Sequence, residues 1–170
     1  IVSIINSFNF IDGLDGLASS IAILFIVLFE SLTTDTSPFI YISIIVIATL
    51  IPLILKNYSF TNKVFLGDSG SLFLGTLISM YIMHILSNGY IIKEQFDVNK
   101  ILYVISIYTY PIIDFTRVIL IRLIKGRSPF QADRKHIHHF LINITNSHLA
   151  SVSIIIISSI IFLIIIQLLF

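Results

Sequence analysis

The 170-residue sequence has no cysteine and no tryptophan, only four prolines and seven glycines, and only 11% charged residues. Without cysteine, neither a disulfide framework nor a thiolate metal site can form, so any metal must be held by oxygen or imidazole. Charge is too sparse for a soluble globular domain, and a mean hydropathy of +1.02 points to lipid as the solvent. Ten Lys and Arg against nine Asp and Glu leave a formal net charge of +1 with no long basic tract. The net charge itself says nothing about a nucleic-acid partner, and with the basic residues confined to particular loops none is expected.

What fills the chain instead is Ile, Leu and Phe, in stretches at roughly residues 14–33, 38–55, 66–86, 101–121 and 149–170. Each is about 20 residues, enough to cross a hydrocarbon core about 30 Å thick as a helix. Lipid offers the backbone no hydrogen bonds, so helices are expected despite the abundance of β-branched Ile. The expectation is an all-α, polytopic transmembrane bundle with about five membrane helices, forming one domain over residues 1–170. The chain starts at Ile1 within an apolar segment and stops at Phe170 inside another, and no signal peptide is visible. A piece of a longer protein, truncated at both ends, is therefore expected.

Basic residues assign the sides. Lys56 and Lys63 lie in one connection and Arg117, Arg122, Lys125, Arg127, Arg134 and Lys135 in or beside another, against Lys93 and Lys100 on the opposite side. Eight against two puts the first set in the cytoplasm. It also gathers Asn6–Asp15, Lys56–Asp68 and Asp114–His139 at one membrane face.

Three motifs occupy that face. In NSFNFIDGLDGLA, Asn6, Asn9, Asp12 and Asp15 recur every third residue before an apolar helix, so neighbours share a face. Gly13 and Gly16 let a ligand approach the backbone, and the carboxylates and carboxamides are the hard oxygen donors that Mg²⁺ prefers. Helix capping by Asp12 or Asp15 is the plainer account, but it needs one acid rather than four spaced polar groups. In FLGDSGSLFLG, Asp68 opens a membrane helix, where an N-cap is an equally good explanation taken alone. In KGRSPFQADRKHIHHFL, Lys125, Arg127, Arg134, Lys135, His136, His138 and His139 crowd one stretch. The cations suit a pyrophosphate, or equally a headgroup-facing loop, which would not need three histidines. Zinc at the histidines lacks the usual spacing and any cysteine. Asp114, three residues before Arg117, is expected to be paired more than to point into the site. His84 and His148 are expected to be structural or interfacial.

Taken in order, NSFNFIDGLDGLA, KVFLGDSGSLFLG and PIIDF followed by KGRSPFQADRKHIHHFL resemble the polyprenyl-phosphate N-acetylhexosamine-1-phosphate transferases, over nearly the whole chain. The form of the last motif resembles the branch that makes lipid-linked N-acetylglucosamine for surface polysaccharides of the O-antigen, enterobacterial common antigen or teichoic acid type. The resemblance implies a bacterial inner-membrane enzyme, active at the cytoplasmic face. It would move a sugar phosphate from a UDP-N-acetylhexosamine to undecaprenyl phosphate and release UMP, with Mg²⁺, or Mn²⁺ in its place, as cofactor. It implies Asp68 and Asn9 as metal ligands, Asn6, Asp12 and Asp15 as substrate contacts near the nucleotide, and His136, His138 and His139 as phosphate or sugar contacts, with Asp68 and the histidines carrying catalysis. Arg127 and Arg134 would hold phosphate, with Lys63 as the weakest assignment. The family's acidic pair of the form DDxxD is missing from these 170 residues, so the segment alone is expected to turn over little. The identity of the hexosamine stays open, a fucosamine or quinovosamine derivative included, as does the oligomeric state, a homodimer included. A membrane transporter with carboxylates at one face, or an inactive remnant of the transferase, are the competing accounts.

Overall fold

The computed structural model describes residues 1–34, 36–59, 61–87, 90–94, 99–126, 128 and 136–169. Arg127, Arg134 and Lys135 therefore lie outside the described residues. The described residues form eight helices, in order α1 (Val2–Ile11), α2 (Leu17–Ser31), α3 (Ile40–Asn57), α4 (Gly67–Leu86), α5 (Lys100–Ile107), α6 (Thr109–Ile124), α7 (Ile137–Thr145) and α8 (His148–Leu169). Beside them the described residues contain one isolated bridge, between Thr33 and Ile92. The all-helical expectation holds.

The five apolar stretches map onto α2, α3, α4, the α5–α6 pair and α8, with two differences. Three helices, α3, α4 and α8, are long and apolar enough to cross a bilayer singly. α2 has 15 residues, about 22 Å at 1.5 Å per residue, and is shorter than a hydrocarbon core. It is buried by its neighbours instead, through Leu17, Ala18, Ile21, Ala22, Phe25, Ile26 and Phe29. The stretch 101–121 is not one straight span: α5 and α6 meet at a bend of 83°. Pro111 stands in the first turn of α6, where it has no N–H to give and its ring would clash with the carbonyl of Ile107 in a continuous helix. Thr109 Oγ donates to the Ser106 and Ile105 carbonyls at 2.6 and 2.8 Å, satisfying backbone that the break would otherwise orphan.

An aromatic centre ties α2 to α4 and α5. The Phe29 and Tyr81 rings lie 4.6 Å apart, Phe25 meets Tyr108 edge-on at 5.8 Å, and Ser7 and Tyr108 share a 3.1 Å hydrogen bond. α1 packs onto α4 at Gly75, where a Cβ would sit 2.9 Å from the Ile5 Cα. His84 is packed among Phe29, Phe39 and Tyr90, as expected of a structural residue.

One end of the bundle holds the connections after α2 and α4: Lys93 Nζ donates to the Ser31 carbonyl at 2.7 Å, and Thr34 N to the Ile91 carbonyl. The other end carries Asn9–Asp15, Lys63–Asp68, Asp114, His136, His138, His139 and His148. The charge count thus grouped the connections by end correctly.

Candidate functional site

α1 stops at Ile11, and Asp12 takes the C-cap position with its N–H on the Asn9 carbonyl. Asn6 and Asn9 therefore sit one turn apart on a helix, whereas Asp12 and Asp15 belong to the turn that follows, so the four do not form one helical face. Gly16 closes the turn at φ +75°, a left-handed conformation that glycine takes without strain. No side chain caps α1, α2 or α4 among the described residues, which removes the capping account of the acids.

Asp68 lies in the first turn of α4, facing this turn. A cavity of about 310 Å³ opens between them, lined by Asp12, Asp15, Asp68, Asn57, Ser19 and Phe65 together with the turn backbone. Asn9 Nδ2 donates to Ser71 Oγ at 2.9 Å and more weakly to Asp68 Oδ1 at 3.4 Å, which orients the Asn9 carboxamide toward the acid. Asn6 is half-buried on α1 and does not line the cavity.

Electrostatics divide the acids. Burial, and then the neighbouring Asp68 charge, push the Asp12 carboxyl up from the ordinary 3.8 to about 6. Asp15 is instead paired twice: Lys63 Nζ makes a short ion pair with Oδ2, and His148 Nδ1 lies 2.9 Å from the same oxygen. His148 Nδ1 is also 3.3 Å from the Asp15 backbone nitrogen. The shorter contact makes this nitrogen a donor to the carboxylate, because one nitrogen cannot donate and accept together. His148 thus touches the site, although its isolation in the sequence suggests an interfacial residue.

A second group lies behind the turn. Asp114 is fully buried on α6; His136 Nδ1 donates to Oδ2 at 2.6 Å and the Ile137 N–H to Oδ1 at 2.7 Å, so the acid holds both the imidazole and the start of α7. Pairing was expected, with Arg117 as the sequence neighbour; the partner is His136. His138 is fully buried, its Nδ1 3.0 Å from the Tyr110 hydroxyl and its Nε2 without a partner among the described residues. Burial, and then the neighbouring His139, hold the His138 imidazole down at about 4, so it is neutral at pH 7. Nε2 faces Gly13, where a Cβ would come within 2.9 Å. The His136 and His138 rings stack at 5.3 Å and 14°, with His139 4.4 Å beyond. Asp114, His136 and His138 offer ligand atoms within 4.8 Å of one another, and within that group Asp114 Oδ2 and His136 Nδ1 are hydrogen-bonded to each other. Arg122, read in the sequence as a loop cation, is buried with its guanidinium 5.6 Å from the Phe10 ring centre.

The sequence-derived residues therefore converge: Asp12, Asp15 and Asp68 on one cavity, Asn9 on its edge, His136, His138 and His139 directly behind it. The buried acid Asp114 is the strongest sign of a transporter, yet it is spent on His136 and α7, and the remaining acids of this site collect at one end rather than mid-bundle.

Sequence comparison bears on what this arrangement belongs to. The chain is 32% identical over 162 residues to a decaprenyl-phosphate N-acetylglucosaminephosphotransferase of Mycobacterium tuberculosis, covering 86% of this chain and 40% of that protein. It is 34% identical over 157 residues to a probable undecaprenyl-phosphate N-acetylglucosaminyl 1-phosphate transferase of Bacillus subtilis (91% and 42%). It is 35% identical over 146 residues to an undecaprenyl-phosphate alpha-N-acetylglucosaminyl 1-phosphate transferase of Yersinia pestis (81% and 37%). The chain thus spans about two fifths of the length of these relatives. No solved structure matches it. The model of glycosyl transferase family 4 matches residues 1–86, which include the Asp12–Gly16 turn and Asp68, and the chain belongs to that family.

Proposed function

We propose that this chain is the part of a membrane transferase that binds a UDP-N-acetylhexosamine, with UDP-N-acetylglucosamine as donor, and passes its sugar phosphate to undecaprenyl phosphate. The observation that carries the proposal is the cavity in which Asp12, Asp15 and Asp68, from two distant segments, meet at one end of an apolar bundle. The three relatives, all polyprenyl-phosphate N-acetylglucosamine phosphate transferases by name, support it.

In the reaction an oxygen of the lipid phosphate attacks the phosphorus that bears the sugar. The bond from that phosphorus to the bridging oxygen breaks, and UMP leaves with the electron pair. The chemistry asks the protein to position two anions and to offset their charge. The donor set fits a divalent cation: Asp12 is held well above its ordinary range beside Asp68, a deficit of positive charge in a half-buried cavity. Asp68, with Asn9 Oδ1 and Asp12, would hold Mg²⁺, which when bound neutralises pyrophosphate charge. Asp15 keeps Lys63 and His148 at the turn, where both can contact phosphate oxygens. Neutral His138 can donate through Nε2 to an oxygen brought against Gly13. This end of the bundle would face the cytoplasm, where nucleotide sugars are made.

Full-length protein in membranes, given undecaprenyl phosphate, Mg²⁺ and labelled UDP-N-acetylglucosamine, should form lipid-linked label and UMP. Product should vanish on chelation and in Asp68→Asn. Failure with every UDP-N-acetylhexosamine in folded protein would remove the proposal.

A further inference from the structure

Among the described residues the acid cavity is lined by Asp15 but by neither of its two partners, Lys63 and His148. Exposure runs the same way: the Asp15 side chain is 10% exposed, those of Lys63 and His148 39% and 41%. Both partners meet the same oxygen, Oδ2, and among the described residues no hydrogen bond or ion pair falls on Oδ1. The carboxylate is thus held by one oxygen from outside the cavity, which leaves the other for an occupant. The two holds differ in stiffness. Lys63 lies in the connection between α3 and α4, and its ammonium is a point charge on a flexible stem. His148 is the first residue of α8, and its Nδ1 lies 2.9 Å from Asp15 Oδ2 and 3.3 Å from the Asp15 backbone nitrogen, so the ring is set against both the side chain and the main chain of one residue.

The elbow that carries His148 is itself fixed. Asn146 takes a left-handed φ of +50° after α7, and Ser147 Oγ accepts the Ala150 N–H at 3.3 Å. Buried Ser151 shares a 2.8 Å hydrogen bond with Thr145 Oγ and donates to the Ser147 carbonyl at 2.9 Å. These hydroxyls lock the start of α8 to the end of α7, whose His138 abuts Gly13. One elbow therefore meets the acid turn at two places, Gly13 and Asp15. Helix propensity does not ask for a histidine here, because a helix N-terminus favours acidic side chains, and α8 has no other ionisable residue in its 22. A histidine serving only the membrane interface would turn its ring to headgroups rather than to a carboxylate 133 residues away.

We propose that His148 is a positioning residue of the donor site: by donating from Nδ1 to Asp15 Oδ2 it fixes the Asp15 carboxylate so that Oδ1 is presented to the cavity. This role rests on the transferase function proposed above. It assigns the effect of His148 on donor binding to the orientation of Asp15, over and above any contact with the ligand at its exposed edge.

The test uses the full-length protein carrying this segment, in nanodiscs with Mg²⁺. The dissociation constant for UDP-N-acetylglucosamine is measured by calorimetry without acceptor, beside KM and kcat for transfer. His148→Ala should raise the dissociation constant and the KM about tenfold, the worth of one charge-assisted hydrogen bond, with kcat within about twofold. His148→Asn, which puts an amide N–H where Nδ1 stands, should recover most of the affinity, and His148→Gln, which puts one where Nε2 stands, should not. In an Asp15→Ala background His148→Ala should add less than about twofold, because residues that act as a unit are not additive. The proposal is overturned if His148→Ala binds and turns over the donor like the parent, which would leave an interfacial histidine. It is equally overturned if His148→Gln recovers as much affinity as His148→Asn, or if the full loss persists without the Asp15 carboxylate. Should His148→Ala fail to fold, the Asn and Gln variants still decide between these outcomes. Donor binding that follows this pattern with no transfer to any polyprenyl phosphate would sink the proposed function and leave the positioning role standing; transfer by the parent that His148→Ala leaves unchanged would do the reverse.

Discussion

Asp12→Asn should stabilise the protein while abolishing transfer. Burial and Asp68 raise the Asp12 carboxyl from 3.8 to about 6, so the folded state binds this proton more tightly than the unfolded chain does. The charge therefore costs nothing below about pH 4, costs progressively more between 4 and 6, and carries its full penalty above 6. At 1.36 kcal/mol per tenfold change in proton affinity, the ceiling is about 3 kcal/mol. The carboxyl is half-buried and within reach of solvent, so screening brings the expected gain from a neutral isostere down to about 1 kcal/mol. For a protein of about 150–250 residues that is a rise in Tm of about 2–4 °C, and it is smaller in a longer chain. The assay is thermal unfolding of the full-length protein followed by helical circular dichroism, in chelator, at pH 8 and pH 4. The variant should melt higher at pH 8 and level with the parent at pH 4, and Mg²⁺ should raise the parent's Tm more than the variant's. The parent's own pH profile would not show this, because His138, held at about 4 from an ordinary 6.5, loses stability as pH falls over nearly the same range. Only the difference between the two proteins isolates Asp12. A variant that melts lower at pH 8, or a gap independent of pH, would refute the reasoning.

Other outcomes follow from the same geometry. His138→Asn should flatten the acid loss of stability between pH 6.5 and 4, measured as Tm against pH, because the buried neutral imidazole no longer has to take up a proton. Tyr58→Phe should be neutral or stabilising by up to about 1 kcal/mol, since its buried hydroxyl has no partner among the described residues; denaturation that costs stability instead would reveal one. Gly16→Ala should cost about 2–4 kcal/mol, combining a left-handed backbone with a Cβ 2.7 Å from the Tyr58 hydroxyl, and pairing it with Tyr58→Leu should recover part of that loss in the same unfolding assay. Gly75→Val should push α1 from α4 and lower Tm by an amount equivalent to about 1–3 kcal/mol, and because α1 carries Asn9, UDP-sugar KM should rise with it.

What the sequence revealed follows from contrast. In a chain with 11% charged residues, Asp12, Asp15 and Asp68 stand out, and the positions of Lys and Arg sort the connections by membrane side, so the site's end of the bundle was legible. Interactions between distant positions were not. His148 looks solitary because its partner Asp15 lies 133 residues away, and Asp114 suggests Arg117 by helical spacing while its carboxylate reaches His136, 22 residues on. The α5–α6 break was signalled by Pro111, yet hydropathy averages across it and reports one span. α2 reads as a spanning helix because burial by neighbouring helices and burial in lipid select the same residues.

The two glycines of the Asp12–Gly16 turn explain why it, rather than a straight helix, carries the acids. Each faces a buried polar atom from another element that lacks a partner among the described residues: Gly13 faces His138 Nε2 from α7, and Gly16 faces the Tyr58 hydroxyl at the end of α3. A side chain at either position would occupy the approach of that atom, and a helix continued through residue 12 would carry Asp12 and Asp15 away from Asp68. Leaving a donor buried and unpaired costs about 1–3 kcal/mol, so two such atoms aimed at one loop are a standing expense of the ligand-free fold. Separate phosphate or sugar oxygens, one beside Gly13 and one beside Gly16, would satisfy these atoms, and part of the binding free energy of the donor would then come from relieving them. Gly13→Ala separates this from a purely steric role: it should weaken UDP-sugar binding and leave Asp15, Lys63 and His148 paired, whereas a loop that merely needs space would lose that pairing together with the affinity.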